Sequence, residues 1–236
     1  MVNERVNTCI LISAGAEWRA LLTNFPAVKC QPSPYGDYFL TSINGQSLSL
    51  MHGGWGKVAA AGSTQYAIDR WRPKRIINLG TCGGFQGQVE RDAVILAEKT
   101  IIYDIFEQMT DNDKAIAHYS VEHDLSWLPK SPPQPVLTGV LVSADRDILP
   151  QDIPELIQKY GAVVADWESG AIGWVAQKNN LPCMILRGVS DLVDISSGEA
   201  YGNYTFFEQQ CQRIMARFVK HLPNWLNVFN NSNLGS

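Results

Sequence analysis

A chain of 236 residues, 45% hydrophobic and 18% charged, is long enough for one α/β domain with a substantial core. The net charge of −4, with no Lys/Arg cluster, gives no support for nucleic acid or an anionic membrane as a partner. Five scattered cysteines (Cys9, Cys30, Cys82, Cys183, Cys211) without a C-x-x-C read as free thiols, and no stretch reads as a signal peptide or membrane span, so a cytoplasmic protein is expected.

In chain order, Cys9 to Ala14 reads as a strand and Glu17 to Phe25 as a helix. Glu17 therefore lies just past a strand in a first helical turn, where a carboxylate favours the helix dipole even without another role. Residues 31–37 are turn-rich, and Tyr38–Ile43 and Ser47–His52 form a hairpin pattern around Asn44-Gly45. Gly54-x-Gly56-x-x-Ala59 nominally fits a dinucleotide fingerprint. However, Asp69, which would have to end a second strand, falls inside a helical pattern, and no Ser or Thr follows Lys57, so neither a dinucleotide site nor a P-loop is expected. His52, at the same turn, is read as structural.

Lys57 to Trp71 reads as a helix and Arg75 to Leu79 as a strand, followed by a glycine turn, Gly80-Thr81-Cys82-Gly83-Gly84-Phe85. A long strand covers Asp92–Ile105, an irregular polar excursion residues 107–135, and another strand Val136–Ser143, ending in Ser143-Ala144-Asp145-Arg146-Asp147-Ile148. The segment Val163–Asp194 reads as strand, acidic turn, small-residue helix, strand and acidic turn. Its apolar run Cys183–Val189 suits a strand buried on both faces and stops at Ser190-Asp191. A parallel pair of strands joined by a helix puts Glu168 and Asp191 at the carboxyl ends, facing one crevice. Tyr204–Trp225 has the spacing of an amphipathic helix. Residues 230–236 read as a polar tail beyond a single domain of residues 1–229. No repeat and no metal-ligand spacing are present, so no metal is expected.

Three stretches carry a family likeness: Asn78–Gly84, Ala165-Asp166-Trp167-Glu168-Ser169 and Arg187-Gly188-Val189-Ser190-Asp191. They resemble the N-x-G-x-[AC]-G-[GA], V-E-M-E-[GA] and R-x-[IV]-S-D motifs of the nucleoside phosphorylase/nucleosidase superfamily, most of all those of the 5'-methylthioadenosine/S-adenosylhomocysteine nucleosidases. The likeness runs from about residue 8 to 220. It implies a single-domain three-layer α/β/α sandwich with a mixed central sheet. It also implies hydrolysis of the N-glycosidic bond of a purine-type nucleoside, with no cofactor, in a homo-oligomer (dimer, trimer or hexamer) whose contacts include the 107–135 region.

By the same resemblance Asp191 is the general acid that protonates the leaving base, Glu17 activates water, and Glu168 accepts the ribose hydroxyls. Asp166, Trp167, Thr81, Cys82, Gly83, Asp147, Ile148 and Ser190 line the substrate pocket. Two departures from the family pattern bear on the base. Asp147 stands where an aromatic usually packs on the base, and Trp167 stands where methionine is usual; Trp167 is equally readable as a stacking surface or as core. Hexameric purine nucleoside phosphorylases carry a phosphate-clamping arginine where this chain has Asn78, and a glycine and arginine where it has Ser13–Glu17. An acid in place of those groups points to water as the nucleophile. A phosphate-dependent phosphorylase and a catalytically silent nucleoside-binding protein are the alternatives.

Overall fold

The computed structural model describes residues 5–231, with side chains to residue 229. Its strands are β1 (Thr8–Ile12), β2 (Gln31–Pro32), β3 (Asp37–Ile43), β4 (Gln46–His52), β5 (Arg75–Phe85), β6 (Val94–Ile102), β7 (Ser120–Glu122), β8 (Leu137–Ser143), β9 (Ala162–Asp166) and β10 (Cys183–Val193). Its helices are α1 (Gly15–Leu22), α2 (Gly56–Trp71), α3 (Asn112–His118), α4 (Ile153–Tyr160), α5 (Ser169–Lys178) and α6 (Tyr204–Asn231).

All ten strands join one mixed sheet in the order β10-β6-β8-β9-β5-β1-β4-β3-β2, with β7 on β6. Because β10 also pairs with β5, strands β10, β6, β8, β9 and β5 close into a small barrel. Cys82, Ile95, Ala97, Leu141, Val164, Ile185 and Val189 fill it. Both faces of β1 are covered, which is why it reads as an unbroken apolar run. Ile10 and Ile12 pack with Trp18 and Leu21 of α1 and Phe218, Leu222 and Trp225 of α6. Cys9 and Leu11 pack on the other face with Ala67 and Trp71 of α2 and Ala171, Ile172 and Ala176 of α5. The result is the expected helix–sheet–helix layering. The β3–β4 hairpin turns at Asn44 (φ 50°) and Gly45 (φ 75°), as the dipeptide dictates. Among the described residues no helix is long and apolar enough to cross a membrane.

Five sequence expectations change. The glycines after Leu79 form no turn: β5 runs on through Phe85, and β10 likewise runs through Ser190 and Asp191 to Val193. These glycines serve close packing, since a Cβ on Gly84 would stand 2.7 Å from side-chain carbons of both Val189 and Val89. Strands β9 and β10 are not a parallel pair. Each flanks β5, β9 antiparallel to it and β10 parallel. The 107–135 excursion contains α3 and β7, the latter an added strand on β6. Helix α4, which the periodicity missed, is bracketed by Pro154 in its first turn and a left-handed Gly161 at its end. Of the expected tail, 230–231 continue α6 and 232–236 lie outside the described residues.

Candidate active site

Arg187 interrupts the apolar run of β10 and is 1% exposed. A guanidinium in such a place needs a carboxylate and a full set of acceptors. Its Nε donates to Asp166 Oδ2 (2.7 Å) and Ser169 Oγ (3.0 Å), and its Nη2 to Asn78 Oδ1 (2.6 Å). Asp166 also accepts from Ser143 Oγ (2.6 Å), from the Ser169 hydroxyl, and from the N–H groups of Glu168 and Ser169. Asn78 is fixed in turn by donating to the Leu11 carbonyl (3.0 Å).

One arm of the guanidinium, Nη1, is buried without a protein acceptor. It lies over Gly80, 2.1 Å from where a Cβ would stand, and Glu17 Oε1 and Oε2 lie 2.9 and 3.0 Å from the same point. Only glycine leaves that space. Glu17 Oε1 accepts from the Thr81 N–H (2.6 Å) and Thr81 Oγ1 (2.7 Å), and Oε2 from the Ala14 N–H (3.2 Å). A buried carboxylate and an unspent guanidinium N–H thus lie together over Gly80, a donor and an acceptor that a small polar molecule could bridge.

Glu168 stands beside this pair at the start of α5. Its Oε1 accepts from the Gly56 N–H (3.0 Å) at the N-terminus of α2. The next amide, of Lys57, donates to Asp145 Oδ1 (2.7 Å); the Lys57 ammonium binds Asp104, and the Asp145 N–H donates to Asp104 Oδ2 (3.0 Å). This clasp ties α2 to the loops after β6 and β8. Burial, and then the Asp166 charge, push the Glu168 carboxyl up to about 8, against Arg187 and the Gly56 N–H. Trp167 stacks on Trp55 (centroids 4.6 Å, planes 26° apart), and Trp55 is 68% exposed. The surface that Trp167 packs on is therefore the indole of Trp55.

Asp191 sits where β10 carries an extra residue relative to β5: Val189 faces Cys82 and Asp191 faces Gly83, leaving Ser190 unmatched. Bulges of this kind re-aim side chains beside sites. Ser190 Oγ lies 2.6 Å from Asp191 Oδ1 and 3.1 Å from the Cys82 carbonyl. Burial raises the Asp191 pKa, and the Ser190 hydroxyl and the Ala200 N–H oppose that rise. Gly83 pairs with Ala165 of β9 as well as with Asp191, so the two acidic strand ends meet across it although their strands do not pair. Ile148 packs its Cδ1 over Gly83.

The structure therefore gathers Glu17, Thr81, Glu168, Ser190, Asp191, Gly83 and Ile148 around one end of β5. Three residues expected at the pocket fall elsewhere. Asp166 has its oxygens engaged within the protein and supports Arg187. Cys82 points into the barrel core, where burial raises its thiol pKa. Asp147 is on the exposed surface. Sequence reasoning gave Arg187, Ser143, Ser169, Lys57 and Asp104 no role. For Arg187 the signal was present: a charge inside a doubly buried strand requires partners. Elsewhere, a groove lined by His123, Trp127, Gln177 and Phe229 offers no comparable chemistry. His123 is within 3.1 Å of Thr100 Oγ1, and burial takes its pKa down to about 4.

Comparison with known proteins places the chain in a family. The model of the phosphorylase superfamily matches residues 8–223. The chain is 27% identical over 201 residues to a 5'-methylthioadenosine/S-adenosylhomocysteine nucleosidase of Maridesulfovibrio salexigens, covering 80% of this chain and 85% of the relative. It is 29% identical over 161 residues to the same-named protein of a Buchnera aphidicola, covering 61% and 66%. Among solved structures, the nucleosidase of that name from Helicobacter pylori superposes with TM-score 0.76 at 16% identity, covering 93% of this chain and 99% of the other. Futalosine hydrolase of Helicobacter pylori superposes with TM-score 0.75 at 18% identity, covering 93% and 98%.

Two stability predictions follow from these electrostatics. Asp166→Asn leaves a buried guanidinium uncompensated and should cost about 3–5 kcal/mol, a fall in Tm on the order of 10 °C by calorimetry; an unchanged Tm would show that the pair is not structural. Glu168 is protonated in folded and unfolded chains below its ordinary value of 4.5. Between there and about 8 only the unfolded chain releases the proton, so the fold loses stability as pH rises. Glu168→Gln should therefore raise Tm at pH 8 by several degrees and leave it unchanged at pH 4; an equal shift at both would refute the raised pKa.

Proposed function

This chain belongs to the phosphorylase superfamily, and we propose that it is a nucleosidase that hydrolyses the N-glycosidic bond of a purine-type nucleoside. The observation that carries this reading is Glu17 set against the free Nη1 of Arg187 over Gly80. A water there donates a hydrogen bond to Glu17 and accepts one from Arg187, with its oxygen free to attack the anomeric carbon. As the glycosidic bond breaks and the sugar becomes oxocarbenium-like, Asp191 gives its proton to the leaving base. The water oxygen bonds to the anomeric carbon and its proton passes to Glu17. Glu168 accepts from the ribose hydroxyls and keeps the sugar in register.

Burial moves the Asp191 pKa upward, the direction that suits a group giving its proton to a leaving base. The relatives' names supply the substrates to test first, 5'-methylthioadenosine and S-adenosylhomocysteine. The stacked Trp55–Trp167 pair beside Glu168 offers an apolar surface for the non-base end of such a nucleoside. A phosphorylase would need a phosphate dianion where Glu17 stands, and Arg187, the guanidinium beside it, is already paired with Asp166. The free cysteines support a reducing, cytoplasmic setting. We assign a homo-oligomer as the working form, with the exposed side chains Trp55, Val58, Phe106 and Met109 as apolar surface available to it.

Release of adenine from the two nucleosides by the purified protein tests the reading. Asp191→Asn should cut the rate by about 10²–10⁴ with circular dichroism and Tm preserved. Wild-type-like turnover in that variant would remove Asp191 from the reaction.

A further inference from the structure

After β10 the chain doubles back over the end of the barrel. Val193 bridges to Gly198, and the Glu199 carboxylate accepts from the Leu192 N–H (2.8 Å) and pairs with Arg91. The Ala200 N–H donates to the Asp191 carboxylate. The very next residue, Tyr201, reaches the other side of the site, where its hydroxyl donates to the Ile148 carbonyl at 2.6 Å. Tyr201 thus ties the strap that passes beside Asp191 to the loop after β8.

One face of the ring lies flat on Gly198: a Cβ there would stand 2.9–3.0 Å from three of its carbons. The residue as a whole keeps 39% of its surface exposed. Position 147 carries no aromatic, Asp147 is exposed, and the Ile148 side chain is turned onto Gly83. Tyr201 is the ring that borders both Asp191 and the 147–148 loop. Burial of its phenol, and the nearby charges of Asp147 and Asp191, raise its pKa, which keeps the hydroxyl a donor.

We infer that Tyr201 is a base-binding residue, whose open ring face stacks on the planar nucleobase that Asp191 protonates. The inference rests on the nucleosidase reading and adds to it the surface that the base packs on, supplied by the 194–203 strap in place of position 147. The hydroxyl fixes the ring plane through Ile148, and Gly198 backs it. Stacking of a base on such a ring is sequence-tolerant and strong enough to control affinity.

The test is calorimetric titration of free adenine into wild type, Tyr201→Phe, Tyr201→Leu and Gly198→Ala, with melting curves to confirm folding. Tyr201→Phe keeps the ring and should bind within about threefold of wild type. Tyr201→Leu should weaken binding by about tenfold or more. Gly198→Ala, which leaves Tyr201 in place but pushes its ring aside, should also weaken it. Adenine bound equally well or better by folded Tyr201→Leu overturns this inference alone, because the ring would then be a bystander or a plug. Wild-type protein that binds no adenine overturns both it and the adenine-nucleosidase reading.

Discussion

The ion pair between Arg187 and Asp166 organises this molecule. Neither charge could be buried alone, since removing an ion of that size from water costs several kcal/mol. Each is held because the other is there and because Ser143, Ser169, Asn78 and two backbone N–H groups complete the set. These partners come from β5, β8, β9 and α5, so the pair fastens the barrel's strands to the helix that carries Glu168. With Asp166 and Asn78 holding two arms of the guanidinium, the third is directed over Gly80 at Glu17.

The site departs from the rules for a stable interior where the chemistry requires it. An N–H of Arg187 is left without a protein acceptor. Glu168 is buried beside another carboxylate and held near a pKa of about 8. Asp191 is placed on a bulge under a returning strap, where water cannot easily stabilise its charge. Each feature lowers stability, and all three lie around one end of β5. Catalytic sites are where such departures concentrate.

Much of this was legible in the sequence. Glu17, Glu168 and Asp191 were singled out because each ends a strand pattern or opens a helix, and Glu168 and Asp191 also because of the motifs around them. The Asn44-Gly45 hairpin and the helix over Tyr204–Trp225 follow from local chemistry. What failed needed tertiary information. Gly80–Gly84 read as a turn because glycine's usual service is a turn, whereas here it admits Arg187, Val89 and Val189 beside an extended strand. Strands β9 and β10 read as a parallel pair because a helix joins them, yet β5 lies between them and the barrel closes through contacts distant in sequence. Asp166 read as a ligand contact because nothing local showed that Arg187 would consume it. Tyr201 belongs to a polar loop whose path over Asp191 no periodicity records.

Water as the nucleophile separates a hydrolase from a phosphorylase on the same fold, and the placement of Glu17 against Arg187 favours it. The direct measurement is the initial rate of base release in phosphate-free buffer and again at saturating phosphate, with the sugar product identified. Equal rates and free sugar are expected in both. Release that requires phosphate and yields a sugar 1-phosphate would contradict it, and would mean that phosphate, and not water, occupies the space between Glu17 and Arg187.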